Sequence, residues 1–303
     1  MIQTVKGPIR PEELGITMCH EHLVLNLSPV RGDDDSNFSD INLIADEINK
    51  AKAYDVQSFI EVSCNDMGRD VKKLKELSQR CNVNIVAATG CYLEAYHTPW
   101  VKSCQVEELA ELFYREITEG IDDTGIKAGV IGEVAAGQHG MATSEEKVLT
   151  AAAMAGKRAN CAVTTHCQLG GLALEQSALL QKNGMNPSKI ILGHLDLVND
   201  CDYLEAVLKT GVNIGFDTIG KVAYLSDENR ADNLMHLIEQ GYEQQIVLSQ
   251  DISRKSYMMA YGKFSGYTSV IKDFVPLLKE RGITKESLNY LLIENPARIF
   301  DIL

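Results

Sequence analysis

Eight short runs of apolar, largely β-branched residues punctuate this chain of 303 residues, and each is followed by a stretch with helical periodicity. The runs cover 16–23, 57–63, 83–89, 128–135, 162–167, 189–195, 212–218 and 245–252. Between them, helices are expected over 41–48 (capped by Ser39 or Asp40), 69–80, 106–118, from Ser144 onward, and over 172–181. Strands that alternate with helices pair in parallel through right-handed crossovers. Eight such units close into a (β/α)8 TIM barrel, a fold of about 250 residues plus extensions. The rival, an open doubly wound sheet, normally opens with Gly-x-Gly-x-x-Gly after its first strand, and no such turn occurs here. No proline- or serine-rich linker interrupts the pattern, so 1–303 reads as a single α/β domain.

Composition narrows the function. A formal net charge of −13 argues against nucleic acid, whose phosphates are held by clustered Lys and Arg. The acidic run Asp33-Asp34-Asp35 reads as a solvated loop. No stretch approaches the roughly 20 apolar residues of a membrane span, and the N-terminus lacks the apolar core of a signal peptide. The eight cysteines include no Cys-x-x-Cys pair, which makes a reducing cytoplasm the expected compartment.

The ends of the runs carry the chemistry. The first brings His20 and His22, which share one face of a strand because side chains alternate. The fourth brings Glu133, the fifth ends at His166, the sixth at His194 and the eighth at Asp251. Four of the seven histidines thus sit where a barrel assembles its active site, whereas chance would place fewer than about one there. Four imidazoles and two carboxylates suffice for two divalent ions, one carboxylate being shared. A nitrogen and oxygen donor set suits Zn²⁺, with Mn²⁺ or Co²⁺ as alternatives. Cys19 and Cys167 flank ligands, but alternation turns each away from its neighbouring histidine. No Gly-x-Ser-x-Gly turn supports a covalent esterase.

The order His-x-His, acidic or lysine bridge, His, His, Asp resembles the amidohydrolase superfamily. The words Cys19-His20-Glu21-His22-Leu23, Gly193-His194, Phe216-Asp217-Thr218-Ile219-Gly220-Lys221 and Glu294-Asn295-Pro296-Ala297 resemble its phosphotriesterase-related branch, over about 7–300. The resemblance implies a binuclear metal hydrolase on a (β/α)8 barrel. His20, His22 and Asp251 would hold the more buried ion and His166 and His194 the exposed one, with Asp251 also the proton shuttle. One position departs from the pattern. The metal-bridging lysine of many members aligns with Gly132, and Glu133 lies one residue later. A one-residue step in a strand reverses the side chain, so Glu133 bridges only if the strand shifts or bulges there.

The same resemblance points to a lactonase or carboxylic ester hydrolase for a small sugar lactone, with or without a phosphate, and places Lys221, Arg254 and Tyr257 around the phosphate where there is one. Phosphotriester hydrolysis, and metal binding with vestigial hydrolysis, are the alternatives. Tyr92 and Tyr224 are further candidates to line the pocket. The partner is then a small-molecule ester or lactone, with no nucleic acid or membrane. A homodimer, common in that family, is left open by the residues.

Overall fold

The computed structural model describes residues 1–138 and 140–302. Among these, eight strands form one sheet: β1 (Ile16–Glu21), β2 (Val56–Glu61), β3 (Asn84–Thr89), β4 (Val130–Ala136), β5 (Val163–Cys167), β6 (Ile190–Gly193), β7 (Asn213–Phe216) and β8 (Ile246–Leu248). They follow one another in chain order, and every hydrogen-bonded pair is parallel. The sheet curls into a nearly closed barrel, with β1 and β8 meeting at the seam.

Side chains tie that seam together. Ser249 Oγ accepts from His20 N at 3.0 Å and donates to Glu21 Oε1 at 2.5 Å. Glu21 also accepts from the backbone N–H groups of Gln250 (3.0 Å) and Ile252 (3.1 Å). A wholly buried carboxylate is stable only when its oxygens are bonded in this way. Glu21, between the two histidines of the first run, thereby fixes the backbone on either side of Asp251.

The outer shell comprises α1 (Ile41–Lys52), α2 (Val71–Cys81), α3 (Val106–Thr118), α4 (Thr143–Ala159), α5 (Ala173–Lys182), α6 (Cys201–Leu208) and α7 (Asp227–Glu239). Of the two candidate caps for α1 it is Asp40 that serves, accepting from Asn42 N and Leu43 N. Asp70 caps α2 in the same manner, and Asn82 ends it at φ 51°. Outward-facing strand residues such as Phe59, Ile85 and Ile131 pack beneath the helices. Inward-facing Ile60, Val86, Val130, Ile191 and Val247 fill the barrel with Ile2, Leu14 and Phe300 from the chain ends, so the floor is a packed plug. No helix among the described residues is long and apolar enough to cross a membrane.

The observed strands are shorter than the apolar runs. The sixth run extends to residue 195, yet β6 stops at Gly193, and the eighth extends to 252 where β8 stops at Leu248. The chain leaves the sheet through turns that carry ligand candidates: His194 has φ 61° and Asp251 φ 48°, unusual values for residues other than glycine. Such backbone positions concentrate where a side chain must be aimed.

Candidate metal centre

At the C-terminal end of the barrel the six residues singled out from the sequence converge. His22 Nε2 lies 3.2 Å from Asp251 Oδ1 and 3.3 Å from Glu133 Oε1. Glu133 Oε2 lies 3.3 Å from His20 Nε2, 3.0 Å from His166 Nδ1 and 3.6 Å from His194 Nε2. The Glu133 carboxylate therefore spans the cluster, one oxygen towards His22 and the other towards the remaining three imidazoles.

This spacing fits divalent ions. A tetrahedral ion with ligands at about 2.0–2.1 Å separates neighbouring donor atoms by about 3.3–3.4 Å. Neither ring nitrogen of the buried His20 makes a hydrogen bond among the described residues, and Asp217 Oδ2 is likewise unbonded. Buried polar atoms without partners are costly unless a cation completes them. Two triads, His20/His22/Asp251 and His20/Glu133/His194, have donor atoms within 4.8 Å of one another. His166 adjoins the second, its Nδ1 2.8 Å from His194 Nε2. His20 belongs to both triads, whereas the family pattern assigns it to one ion.

The register of β4 explains how Glu133 reaches the site. Val130 faces the barrel interior while Ile131 and Val134 both pack in the outer layer. Strict alternation would turn Glu133 outward with Ile131. Instead the β4–β5 pairing slips between Ile131 and Val134, at the cis Gly132–Glu133 peptide, and Glu133 joins the inner face. Gly132, at φ 121°, has no room for a side chain: a Cβ there would lie 2.0 Å from Thr164 O. The strand thus places a carboxylate inside without a lysine at the preceding position.

Cys19 corrects a simpler expectation. The pairing of β1 with β2 is irregular between Met18 and Glu21, and Cys19 packs with the interior plug rather than facing outward. Among the described residues its thiol bonds only to Thr17 O, at 3.9 Å, and joins neither triad.

Behind the ligand atoms, a second set of groups orients the rings, and sequence reasoning assigned these no role. His194 Nδ1 and the His194 backbone N each lie 2.8 Å from Asp217 Oδ1. Asp217 Oδ2 is 3.3 Å from His20 Nδ1. His22 Nδ1 is 3.0 Å from Ser63 Oγ, which donates to Glu61 Oε1. His166 Nε2 is 2.8 Å from Gln168 Oε1. His22, His166 and His194 each keep one nitrogen for the cluster and one for a partner that fixes the ring, whereas His20 Nδ1 only faces Asp217 Oδ2. Burial raises the carboxyls of Asp217 and Asp251. The imidazoles beside Asp217, and Lys221 with His22 beside Asp251, outweigh that and hold both well below the usual carboxylate range. Burial pushes the Glu61 carboxyl up to about 7. Asp217, Glu61 and Ser63 stand at strand ends, the one signal that marked them in the sequence. Asp217→Asn removes the charge that orients His194 and His20. It is expected to weaken metal binding about 10- to 100-fold, read by competition with a chelator.

Above the cluster opens a cavity of about 120 Å³ lined in part by Tyr92, Lys221, Tyr224, Arg254 and Tyr257. The Tyr92 hydroxyl lies 3.3 Å from His166 Nδ1. Lys221 Nζ pairs with Asp251 Oδ2 and sits 5.1 Å from the centre of the Tyr257 ring. Arg254 and the acidic run depart from expectation. Asp33, Asp34 and Asp35 are not merely a solvated stretch. Asp33 and Asp35 lie 3.1 and 3.6 Å from Arg254 Nη1, and Asp34 lies 2.6 Å from Lys255 Nζ. A run of like charges on one loop is stable here because the facing loop supplies two cations.

A model of the phosphotriesterase family matches residues 1–300. The chain is 34% identical to phosphotriesterase homology protein of Escherichia coli K12, over 94% of this chain and 98% of that one. It is 33% identical to N-acetyltaurine hydrolase of Xenopus tropicalis, over 98% and 97%. The crystal structure of phosphotriesterase homology protein from Escherichia coli, with phosphate in its active site, matches with a TM-score of 0.93 at 34% identity, over 95% of this chain and 99% of that one. A lactonase from Listeria monocytogenes matches with a TM-score of 0.94 at 27% identity, over 100% and 99%.

Proposed function

The chain belongs to the phosphotriesterase family, and from that premise we propose that this metal-dependent hydrolase opens a lactone or other small carboxylic ester that carries an anionic group. The carrying observation is the set of donor atoms from His20, His22, Glu133, His166, His194 and Asp251, gathered beneath a cavity with cationic walls. His20, His22 and Asp251 would hold one ion and His166 and His194 a second, with Glu133 between them. Two divalent ions held there, Zn²⁺ first and Mn²⁺ or Co²⁺ as alternatives, would supply Lewis-acid polarisation of a carbonyl and lower the pKa of a bound water.

The chain's own groups do the rest. Asp251, ionised and facing the cavity, accepts the proton of the attacking water and returns it to the leaving alkoxide. Tyr92 forms the wall over His166 and restricts how the acyl group approaches. Lys221 and Tyr257 border the space that the substrate's charged end would occupy. A lysine provides a point charge there, without the planar fork of an arginine. The named lactonase among the matched structures supports this choice of reaction.

The test pairs metal content with turnover of a small panel: sugar lactones with and without a phosphate, a carboxylate ester, N-acetyltaurine and a phosphotriester. About two metals per chain with preference for the phosphorylated lactone is the expected result. Preference for the amide or the phosphotriester would replace the lactone reading. Fewer than two metals would remove Glu133 as the bridge.

A further inference from the structure

We propose that His97, a buried histidine outside the metal centre, is a positioning residue that sets the place of Tyr92 and so the shape of the cavity wall over His166. The proposal rests on the reading of Tyr92 as that wall.

Tyr92 follows β3 through Gly90 and Cys91 and brings its hydroxyl to 3.3 Å from His166 Nδ1. Its ring centre lies 5.0 Å from that of His166 and 5.3 Å from that of Tyr96. Neither ring contact ties down the backbone from which the hydroxyl projects. Hydrogen bonds at both ends of the residue do so. Tyr92 N donates to Asp66 Oδ1 and Oδ2 at 3.0 and 3.1 Å, and Tyr92 O accepts from His97 Nε2 at 2.8 Å. A carbonyl oxygen only accepts, so Nε2 carries the hydrogen in this bond whether the imidazole is neutral or charged.

His97 is itself braced. It is 6% exposed, and its Nδ1 lies 3.0 Å from Ser144 Oγ. Ser144, in the first turn of α4, also stands 3.0 Å from Glu94 Oε1. The adjacent Glu145 accepts from Glu94 N at 3.1 Å with one oxygen, and from Gly137 N at 3.1 Å and Ala142 N at 2.9 Å with the other. On the far side Thr98 caps the helical turn Pro99–Ser103, accepting from Val101 N at 3.2 Å. The start of α4, the loop after β4 and residues 94–98 thus form one hydrogen-bonded unit, and His97 extends it to Tyr92. Burying an imidazole is unfavourable unless its nitrogens are bonded, and here both are. Without the Nε2 donor the Tyr92 peptide is free to rotate, and the displacement is largest at the hydroxyl, the far end of the side chain.

The test is a double-mutant cycle on the metal-loaded enzyme, using whichever substrate of the panel above turns over fastest. The variants are His97→Phe, Tyr92→Ala and the pair, with His97→Gln as the conservative change. His97→Phe keeps an aromatic ring and loses the donor. It is expected to raise KM about 10-fold and to change kcat less than about 3-fold, with metal content unaltered. In the Tyr92→Ala background the same substitution should change KM less than about 2-fold. His97→Gln, whose amide can still donate to Tyr92 O, should recover most of the loss. Hydrogen exchange, which needs no substrate, should quicken in His97→Phe for peptides spanning 90–98. Equal effects of His97→Phe in the two backgrounds, or an unchanged KM and exchange rate, overturn the proposal and leave Tyr92 as the wall. A Tyr92→Ala enzyme with the wild-type KM overturns the wall itself, and the role of His97 with it.

Discussion

Glu133→Gln is expected to reduce bound metal from about two ions per chain to one or fewer, and to lower turnover about 10³-fold. The substitution preserves shape and removes one negative charge from a cluster in which Glu133 lies 3.0–3.6 Å from four imidazoles. The carboxylate oxygens face different halves of the cluster, so an amide, with one oxygen and one NH₂ donor, serves only one half. Burial opposes the charge of Glu133, yet the His20 and His166 imidazoles hold its carboxyl well below the usual carboxylate range. Metal analysis and single-turnover kinetics on the same sample check the prediction. Retention of two ions with full activity would show that the bridge lies elsewhere.

The second large effect is on folding. Gly132→Ala is expected to destabilise the protein by about 3 kcal/mol or more, read as the urea midpoint or as loss of folded protein on expression. A Cβ at 132 would stand 2.0 Å from Thr164 O and 2.8 Å from Thr164 Cγ2, and φ 121° disfavours any side chain. Relief requires β4 to move away from β5, which removes the register slip that brings Glu133 inward. Gly140→Ala is the control: a Cβ there meets nothing within 4 Å, and the change should be within about 0.5 kcal/mol. If the two variants match in stability, the close approach of Gly132 to Thr164 does not set the register of β4.

The barrel and most of the candidate metal-binding side chains were legible because both rest on local periodicity. The alternation of apolar runs with helical stretches specified eight parallel strands, and the third helix was placed at its observed bounds, Val106–Thr118. His20, His22, His166, His194 and Asp251 could be picked out since each stands at a strand end, where the barrel must put its chemistry. Asp217, Glu61 and Ser63 stand at strand ends too, but a carboxylate that orients a histidine looks the same in a sequence as one that caps a loop. Only the distance from Asp217 to His194 and His20 separates the two roles.

Whatever depends on register or on loops facing each other was decided by the tertiary structure. Alternation alone turned Glu133 and Cys19 outward, and irregular pairing, at β4 with β5 and at β1 with β2, brought both inside. Asp33-Asp34-Asp35 looked like a solvated acidic run because its cations lie more than 200 residues away in Arg254 and Lys255. By itself the sequence determined the fold and the candidate donor residues, since hydrophobic period and strand-end chemistry are properties of neighbouring residues. The tertiary structure decided which carboxylate enters the barrel and which loop charges face one another, because both depend on pairings between segments distant in the chain.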